Sequence, residues 1–310
     1  MEIKRARKID LFNSDGSDTI PAGVSEKIPI SLLSCGGMHT VVLTPAGLAY
    51  SWGCNDDGAL GRSEGKDSLP GLVPLPQRVN GMALGGSHSI FFNTELSTAF
   101  FCGLYRNAVQ GKVDAAVKEP TQFGAESFCK GKRRLTKIVS GLDHSVALTN
   151  DGKVWAWGDP ESGKIGRILK SRSTNVQSRK IEQVGAKRAV DVWCGGHASF
   201  YRNDKGVLFA WGLNNHGQLG VGHKDNLCAP TRVLWLHDEQ EEAIQVAGGE
   251  HHTVALTKSG RVYCWGRNDE GECGVGDLFG KYRREQAILE QQKLEEQERL
   301  AKEATEKAAQ

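Results

Sequence analysis

Between Ile28 and Asp277 the hydrophobic residues come in short runs, broken by glycine and polar turns. The run His39-Thr40-Val41-Val42-Leu43-Thr44 has the length and β-branched content of a strand. Pro45-Ala46-Gly47 then turns the chain into Leu48-Ala49-Tyr50-Ser51-Trp52, which predicts an antiparallel hairpin with one residue set facing each side. The pattern returns. His39 has counterparts in His88, His144 and His252, and the second run closes at Trp52-Gly53, Cys102-Gly103, Trp157-Gly158, Trp211-Gly212 and Trp265-Gly266. The spacing of about 50 to 55 residues is that of a repeat architecture.

A sheet this small cannot bury both faces alone, so neighbouring sheets must stack, and radial stacking about an axis protects their edges. The expected fold is all-β, a β-propeller of about five repeats over residues 27–280. The paired glycines Gly36-Gly37, Gly85-Gly86, Gly195-Gly196 and Gly248-Gly249 fit a place where inner strands crowd together. The tryptophans would fill space between blades. A histidine recurring at one place in most units reads as a structural group bonding nearby backbone, in preference to a metal ligand or catalyst. The fourth unit departs from the set, with His197 one place early and Ala198 at the histidine position.

The two ends have a different character. Residues 1–26 form a polar, flexible tail that opens with Lys4, Arg5, Arg7 and Lys8, which is either a solvated cluster or a nuclear address and phosphate arm. Residues 281–310 lack Gly and Pro, mix both charges, and predict an exposed helix with a thin stripe through Ile288, Leu294 and Leu300. That segment is either an insertion in a propeller that is cut short or a cap on a short one, with coiled-coil dimerisation a weaker option.

The net charge of +2 on 310 residues excludes wholesale coating of nucleic acid and leaves local clusters as the places to look for partners. The eight cysteines contain no C-x-x-C pair and read as small buried hydrophobes in a reducing compartment. Without an apolar run of about 18 residues or a signal peptide, the expected protein is soluble and intracellular.

Gly36-Gly37-Met38-His39-Thr40, with Tyr50, Gly53-Cys54-Asn55-Asp56 and Gly58-Ala59-Leu60-Gly61-Arg62, resembles a repeat of the regulator-of-chromosome-condensation family, exchange factors for the small GTPase Ran. The resemblance covers about Ile28 to Asp277. It implies a propeller of about seven blades, where about five units can be counted here, so the propeller looks incomplete. It also implies guanine nucleotide exchange for a Ran-like GTPase on chromatin, in support of nucleocytoplasmic transport and mitosis. Such exchange involves no covalent catalysis, no cofactor, no metal, no membrane and no small-molecule substrate. Nucleosome and DNA become expected partners, and the nucleus the expected location, with the cytoplasm also open. The alternative is a repeat propeller serving only as a scaffold or adaptor.

Gly158-Asp159-Pro160-Glu161-Ser162-Gly163-Lys164 has the spacing of a phosphate loop, but Ile165 stands where magnesium binding wants Ser or Thr, and the glycines match Gly53 and Gly58 of the repeat. The spacing is a coincidence of the repeat. Two carboxylates break the pattern of their own units: Asp143 stands where the others have Met38, Ser87, His197 and His251, and Asp191 where they have Leu32, Gly81, Lys137 and Gln245. A capped turn or a local ion pair explains such residues as well as a partner does. The resemblance places acids matching Asp143 and Asp191, with a histidine matching His252 and its neighbour His251, on the face that receives the GTPase. It makes the turn containing Glu161, Ser162, Gly163, Lys164 and Arg167 a wedge against the nucleotide side of that GTPase. It gives Lys4, Arg5, Arg7 and Lys8 a part in nuclear import and DNA contact, and Lys224 and Arg232 a part in nucleosome contact. On their own, the last two are solvated loop charges.

Overall fold

The computed structural model describes residues 29–105, 116–168 and 180–275. The expectations for Lys4, Arg5, Arg7 and Lys8 and for the helix at 281–310 therefore lie outside the described residues. The chain divides into two compact units, Met1–Arg267 and Asn268–Gln310. In the second, 268–275 is a turn in which Asn268 Oδ1 accepts the Cys273 N–H.

The first unit holds five antiparallel sheets, each a blade. Blade one is β1 (Leu32–Cys35), β2 (His39–Leu43), β3 (Ala49–Gly53) and β4 (Gly71–Leu72); blade two is β5 (Gly81–Leu84), β6 (His88–Asn93), β7 (Thr98–Gly103) and β8 (Val117–Phe123). Blade three is β9 (Leu135–Ser140), β10 (His144–Thr149), β11 (Val154–Gly158) and β12 (Glu182–Gln183); blade four is β13 (Ala189–Cys194), β14 (Ala198–Asn203), β15 (Leu208–Gly212) and β16 (Leu227–Arg232). Blade five has three described strands, β17 (Ala243–Gly248), β18 (His252–Thr257) and β19 (Val262–Gly266). Two short helices, α1 (Ala125–Phe128) and α2 (Leu234–Asp238), lie in the links that enter blades three and five.

Because side chains alternate across a strand, every blade presents one apolar row to each neighbour. Val41 and Leu43 of blade one meet Phe91 and Phe100 of blade two, and Val146 and Val154 of blade three meet Val192 and Tyr201 of blade four. Trp157, Trp193 and Trp211 sit in these inter-blade layers as expected. The inner strands are tied by main chain as well as by packing. Gly37 N–H bonds the Gly85 carbonyl, Gly86 that of Leu142, Leu142 that of Gly196, and Gly196 that of Gly249. A Cβ on Gly248 would come within 2.5 Å of the Gly195 main chain, so the paired glycines are required by this close approach.

The cysteines correct one expectation. All eight are free, but Cys102 alone is buried, while Cys35, Cys129 and Cys228 are exposed. Cys35 ends the solvent-facing strand β1, and Cys129 and Cys228 lie in a link and an outer strand, positions that offer little apolar surface to pack against.

Candidate functional site

Each blade locks onto the one before it through the residues that start its second strand. His39 Nε2 lies 2.9 Å from Ser89 Oγ, His144 Nε2 lies 2.8 Å from Ser199 Oγ, and His88 Nε2 lies 3.3 Å from Ser145 Oγ. In every case the hydroxyl belongs to the next blade. Ser89 Oγ donates its own proton to the Ala59 carbonyl and Ser199 Oγ donates to that of Lys164, so His39 and His144 supply the proton from Nε2. The structural role expected of the histidines is present, but the partner is a neighbouring hydroxyl where nearby backbone was expected. Burial lowers the pKa of His39 to about 4 and that of His88 to about 3, the latter with a contribution from His39; burial also holds His144 well below its ordinary value. These rings are neutral. They also leave no room for a side chain at the turn glycines, since a Cβ on Gly85 would stand 1.9 Å from the His88 ring.

The same turn carbonyl accepts twice. Ala59 O takes Ser89 Oγ and, at 3.7 Å, Cys102 Sγ; Lys164 O takes Ser199 Oγ and Trp211 Nε1; Gln218 O takes Thr253 Oγ1 and Trp265 Nε1. Between blades two and three the Tyr105 phenol fills this place, binding Ser145 Oγ and Trp157 Nε1. The hydroxyl was readable in the sequence as the Ser or Thr that follows the histidine position in every unit: Thr40, Ser89, Ser145, Ser199 and Thr253.

At this end of the strands, Asp143 and the turn 159–167 come together. The Asp159 N–H donates to the Asp143 carbonyl at 2.7 Å, and Asp159 Oδ1 accepts the Glu161 N–H. In blades one and four the equivalent turn is clamped by an asparagine: Asn55 Oδ1 accepts Leu60 N–H and Asn214 Oδ1 accepts Leu219 N–H. Blade three has Pro160 there. Its clamp is an ion pair between Lys164 Nζ and Asp159 Oδ2 at 2.6 Å, with both side chains almost wholly buried. Arg167 secures the other end, donating to the carbonyls of Ala156 and Lys180 and pairing with Glu182 at 3.2 Å. Its repeat counterpart Arg62 acts in the same way on Ser51, Glu64, Lys66 and Leu69. Gly163 is pressed against the Leu227 carbonyl and buried, so Glu161, exposed, and Ser162, at φ 56, form the accessible tip.

The other expected site residues lie apart from that tip. Asp191 sits within the inner strand β13, with Oδ1 2.7 Å from Lys137 Nζ of blade three, and this is the local ion pair that the sequence left open. His252 opens β18 and stacks against Gly249, the position its counterparts occupy against their glycines. Its neighbour His251 lies 4.9 Å from the His216 ring and 6.2 Å from that of His197, which is 3.7 Å from Glu250. Among the described residues no group of His, Cys, Asp and Glu could hold a metal ion. Lys224 lies in the loop before β16 and Arg232 at its far end, so a six-residue strand of about 20 Å separates them. Among the described residues no helix is long and apolar enough to cross a membrane.

Radial blades locked by a recurring histidine, hydroxyl and turn-carbonyl set, with an exposed turn at one strand end, define a repeat β-propeller. A model of the RCC1-like domain matches residues 7–308, and the chain belongs to that family. It is 33% identical over 265 residues to the regulator of chromosome condensation of Mus musculus, covering 78% of this chain and 61% of the relative. It is 29% identical over 252 residues to the ultraviolet-B receptor UVR8 of Arabidopsis thaliana, covering 79% and 55%. The crystal structure of Prp20p from Saccharomyces cerevisiae, a protein described with binding properties to Gsp1p and histones, superposes with a TM-score of 0.71 at 26% identity, over 79% of this chain and 59% of that one. The chain spans about three-fifths of the length of the first curated relatives it matches. Five blades are described here, as the repeat count predicts, where RCC1 propellers normally have seven.

Proposed function

We propose that this chain acts as a guanine nucleotide exchange factor for a Ran-like GTPase, receiving it on the strand-end surface that carries Asp143 and the 159–167 turn. Exchange needs no covalent step: a surface that binds the nucleotide-free GTPase more tightly than the loaded one lowers nucleotide affinity by the same factor. The observation that carries the reading is the turn itself. Its ion pair, its arginine and its bond to Asp143 fix the backbone before any partner arrives, so an exposed tip of Glu161 and Ser162 can press on a partner without first being ordered. Asp143, Asp191 and His252 are the residues proposed to meet the GTPase, with Gly163, Lys164 and Arg167 holding the wedge. Similarity to the mouse regulator of chromosome condensation and to Prp20p supports the choice of partner class.

In the same reading the protein works at chromatin in the nucleus, with Lys4, Arg5, Arg7, Lys8, Lys224 and Arg232 as contacts to nucleosome and DNA, and thereby serves nucleocytoplasmic transport and mitosis. A scaffold without exchange activity is the second reading, favoured by the likeness to UVR8, whose name denotes a receptor, and by the Asp191–Lys137 pair, which accounts for Asp191 without a partner. The test is release of a fluorescent GDP analogue from Ran. Acceleration by the chain, reduced in Asp143→Ala, supports exchange; binding to nucleotide-free and GDP-loaded Ran with equal affinity supports the scaffold and overturns exchange.

A further inference from the structure

At three blade boundaries the residue after the doubly accepting carbonyl is a buried aliphatic plug. Leu60, Ile165 and Leu219 directly follow Ala59, Lys164 and Gln218, and all three are fully buried. Ile165 shares a core cluster with Trp211, and Leu219 shares one with Trp265. Carbonyl and plug thus arrive together from one turn. Between blades two and three the two parts are separated. Tyr105 supplies the polar part, its hydroxyl receiving Trp157 Nε1 at 2.7 Å and lying 2.9 Å from Ser145 Oγ. Where the apolar part would sit, a cavity of about 280 Å³ borders Trp157.

The walls of this cavity are aromatic rings. Phe101 and Tyr105 lie 5.0 Å apart at 21°, nearly parallel, and Phe123 leans on Trp157 at 5.7 Å and 59°. Val117 and Ile181 extend the apolar lining. Among the described residues no charged side chain lines it, so a charged ligand would lose its hydration without gaining a counter-ion. The polar group of the lining is Thr121, which is exposed and places the mouth on β8. Its hydroxyl donates to the Glu119 carbonyl and has only lone pairs left to offer. An apolar cavity of about 150 Å³ already takes benzene, so this one has room for two fused rings.

We infer that this cavity binds a neutral, planar, bicyclic aromatic molecule with one N–H or O–H group, held between the rings and donating to Thr121. The function is independent of the exchange reading and uses none of the residues proposed for it. A flat ligand suits these walls because their rings can meet its face in offset contacts and its rim in tilted ones. A saturated, globular ligand of similar size gains burial alone.

The test titrates the full chain with indole, 1-methylindole and 1-adamantanol and follows the tryptophan Nε1–H signals by nuclear magnetic resonance. Indole should saturate one site with a dissociation constant at or below about 1 mM, within reach of a ligand of about nine non-hydrogen atoms. It should shift the Trp157 signal and leave those of Trp211 and Trp265 in place. T121V and 1-methylindole each remove one partner of the same hydrogen bond, so each should weaken binding about two- to tenfold, and the two together no more than either alone. V117F grows into the cavity and should abolish the Trp157 shift at an unchanged or raised melting temperature. I181F fills it from the blade-three side and takes over as the test should V117F lower the melting temperature. A Trp157 signal that stays in place up to about 5 mM indole overturns the inference, as does a shift retained in both filled variants. Binding of 1-adamantanol as tight as that of indole overturns the planar ligand, and wild-type affinity for indole in T121V overturns the donor.

Discussion

Trp211 Nε1 donates to the Lys164 carbonyl at 2.9 Å across the boundary of blades three and four, while the Lys164 ammonium closes on Asp159 at 2.6 Å. One residue therefore holds the next blade by its main chain and its own turn by its side chain. Lys164→Met should strand a buried carboxylate and cost about 3 to 5 kcal/mol, as should Asp159→Ala for the ammonium. The combination D159L/P160N/K164Q copies the asparagine-clamped turn of blade four and should recover most of that loss. Denaturant midpoints of the three variants check this; a triple variant no more stable than Lys164→Met shows that the ion pair is not an exchangeable clamp.

The inter-blade histidines make stability depend on pH. His39, at about 4, and His88, at about 3, have folded pKa values below the unfolded 6.5, and His144 is lowered too, so in acid the unfolded chain binds more protons than the folded one. Stability is then full above about 6.5 and falls as pH drops toward the folded values, each histidine adding up to about 1.4 kcal/mol per pH unit within its window. Urea unfolding from pH 7 to pH 4 should show this loss, less steeply in a His88→Asn variant. Ser199→Ala at neutral pH should cost about 1 to 3 kcal/mol by leaving the buried His144 Nε2–H without its acceptor.

The blade count and hairpins were legible because each unit repeats a short apolar run, a turn and a run ending in glycine, and His39–Leu43 and Ala49–Gly53 fall where that pattern puts them. The glycine pairs were legible for the same reason, since backbone contact tolerates no side chain. The ion-paired turn was not. Asp159 and Lys164 read as parts of a chance phosphate-loop spacing, with Lys164 also in the wedge turn; that they form a pair shows only once their burial and 2.6 Å separation are known. The wedge residues Lys164 and Arg167 likewise divide from Glu161 and Ser162 only once burial is known.

Arg62 spans the loop after blade one, donating to four carbonyls between Ser51 and Leu69. Lysine cannot replace it, because a single ammonium lacks the planar fork that reaches several acceptors at once. Arg62→Lys should lose about 2 kcal/mol or more and expose residues 63–70 to limited proteolysis, since carbonyls buried beside the guanidinium lose their donors. Protease digestion resolved by mass spectrometry would report cuts there in the variant before any in the strands of blade two. An unchanged cleavage pattern would mean that the loop is held by packing.

The tip and the base of the 159–167 turn should separate in function. Glu161 is exposed and makes no ion pair among the described residues, and Ser162 occupies the left-handed region at φ 56, which asparagine tolerates. Glu161→Ala combined with Ser162→Asn should therefore leave the melting temperature within about 1 °C of wild type, as surface changes away from buried groups usually do. If the tip presses on the GTPase, the same variant should slow nucleotide release about tenfold or more, a loss of about 1.4 kcal/mol confined to the step in which nucleotide leaves. Lys164→Met should lower melting temperature and exchange together, because it loosens the base from which the tip projects. The two variants measured side by side on Ran loaded with a fluorescent GDP analogue distinguish a wedge from a turn that only closes its blade: wild-type release by the tip variant, at unchanged stability, removes the wedge role from Glu161 and Ser162.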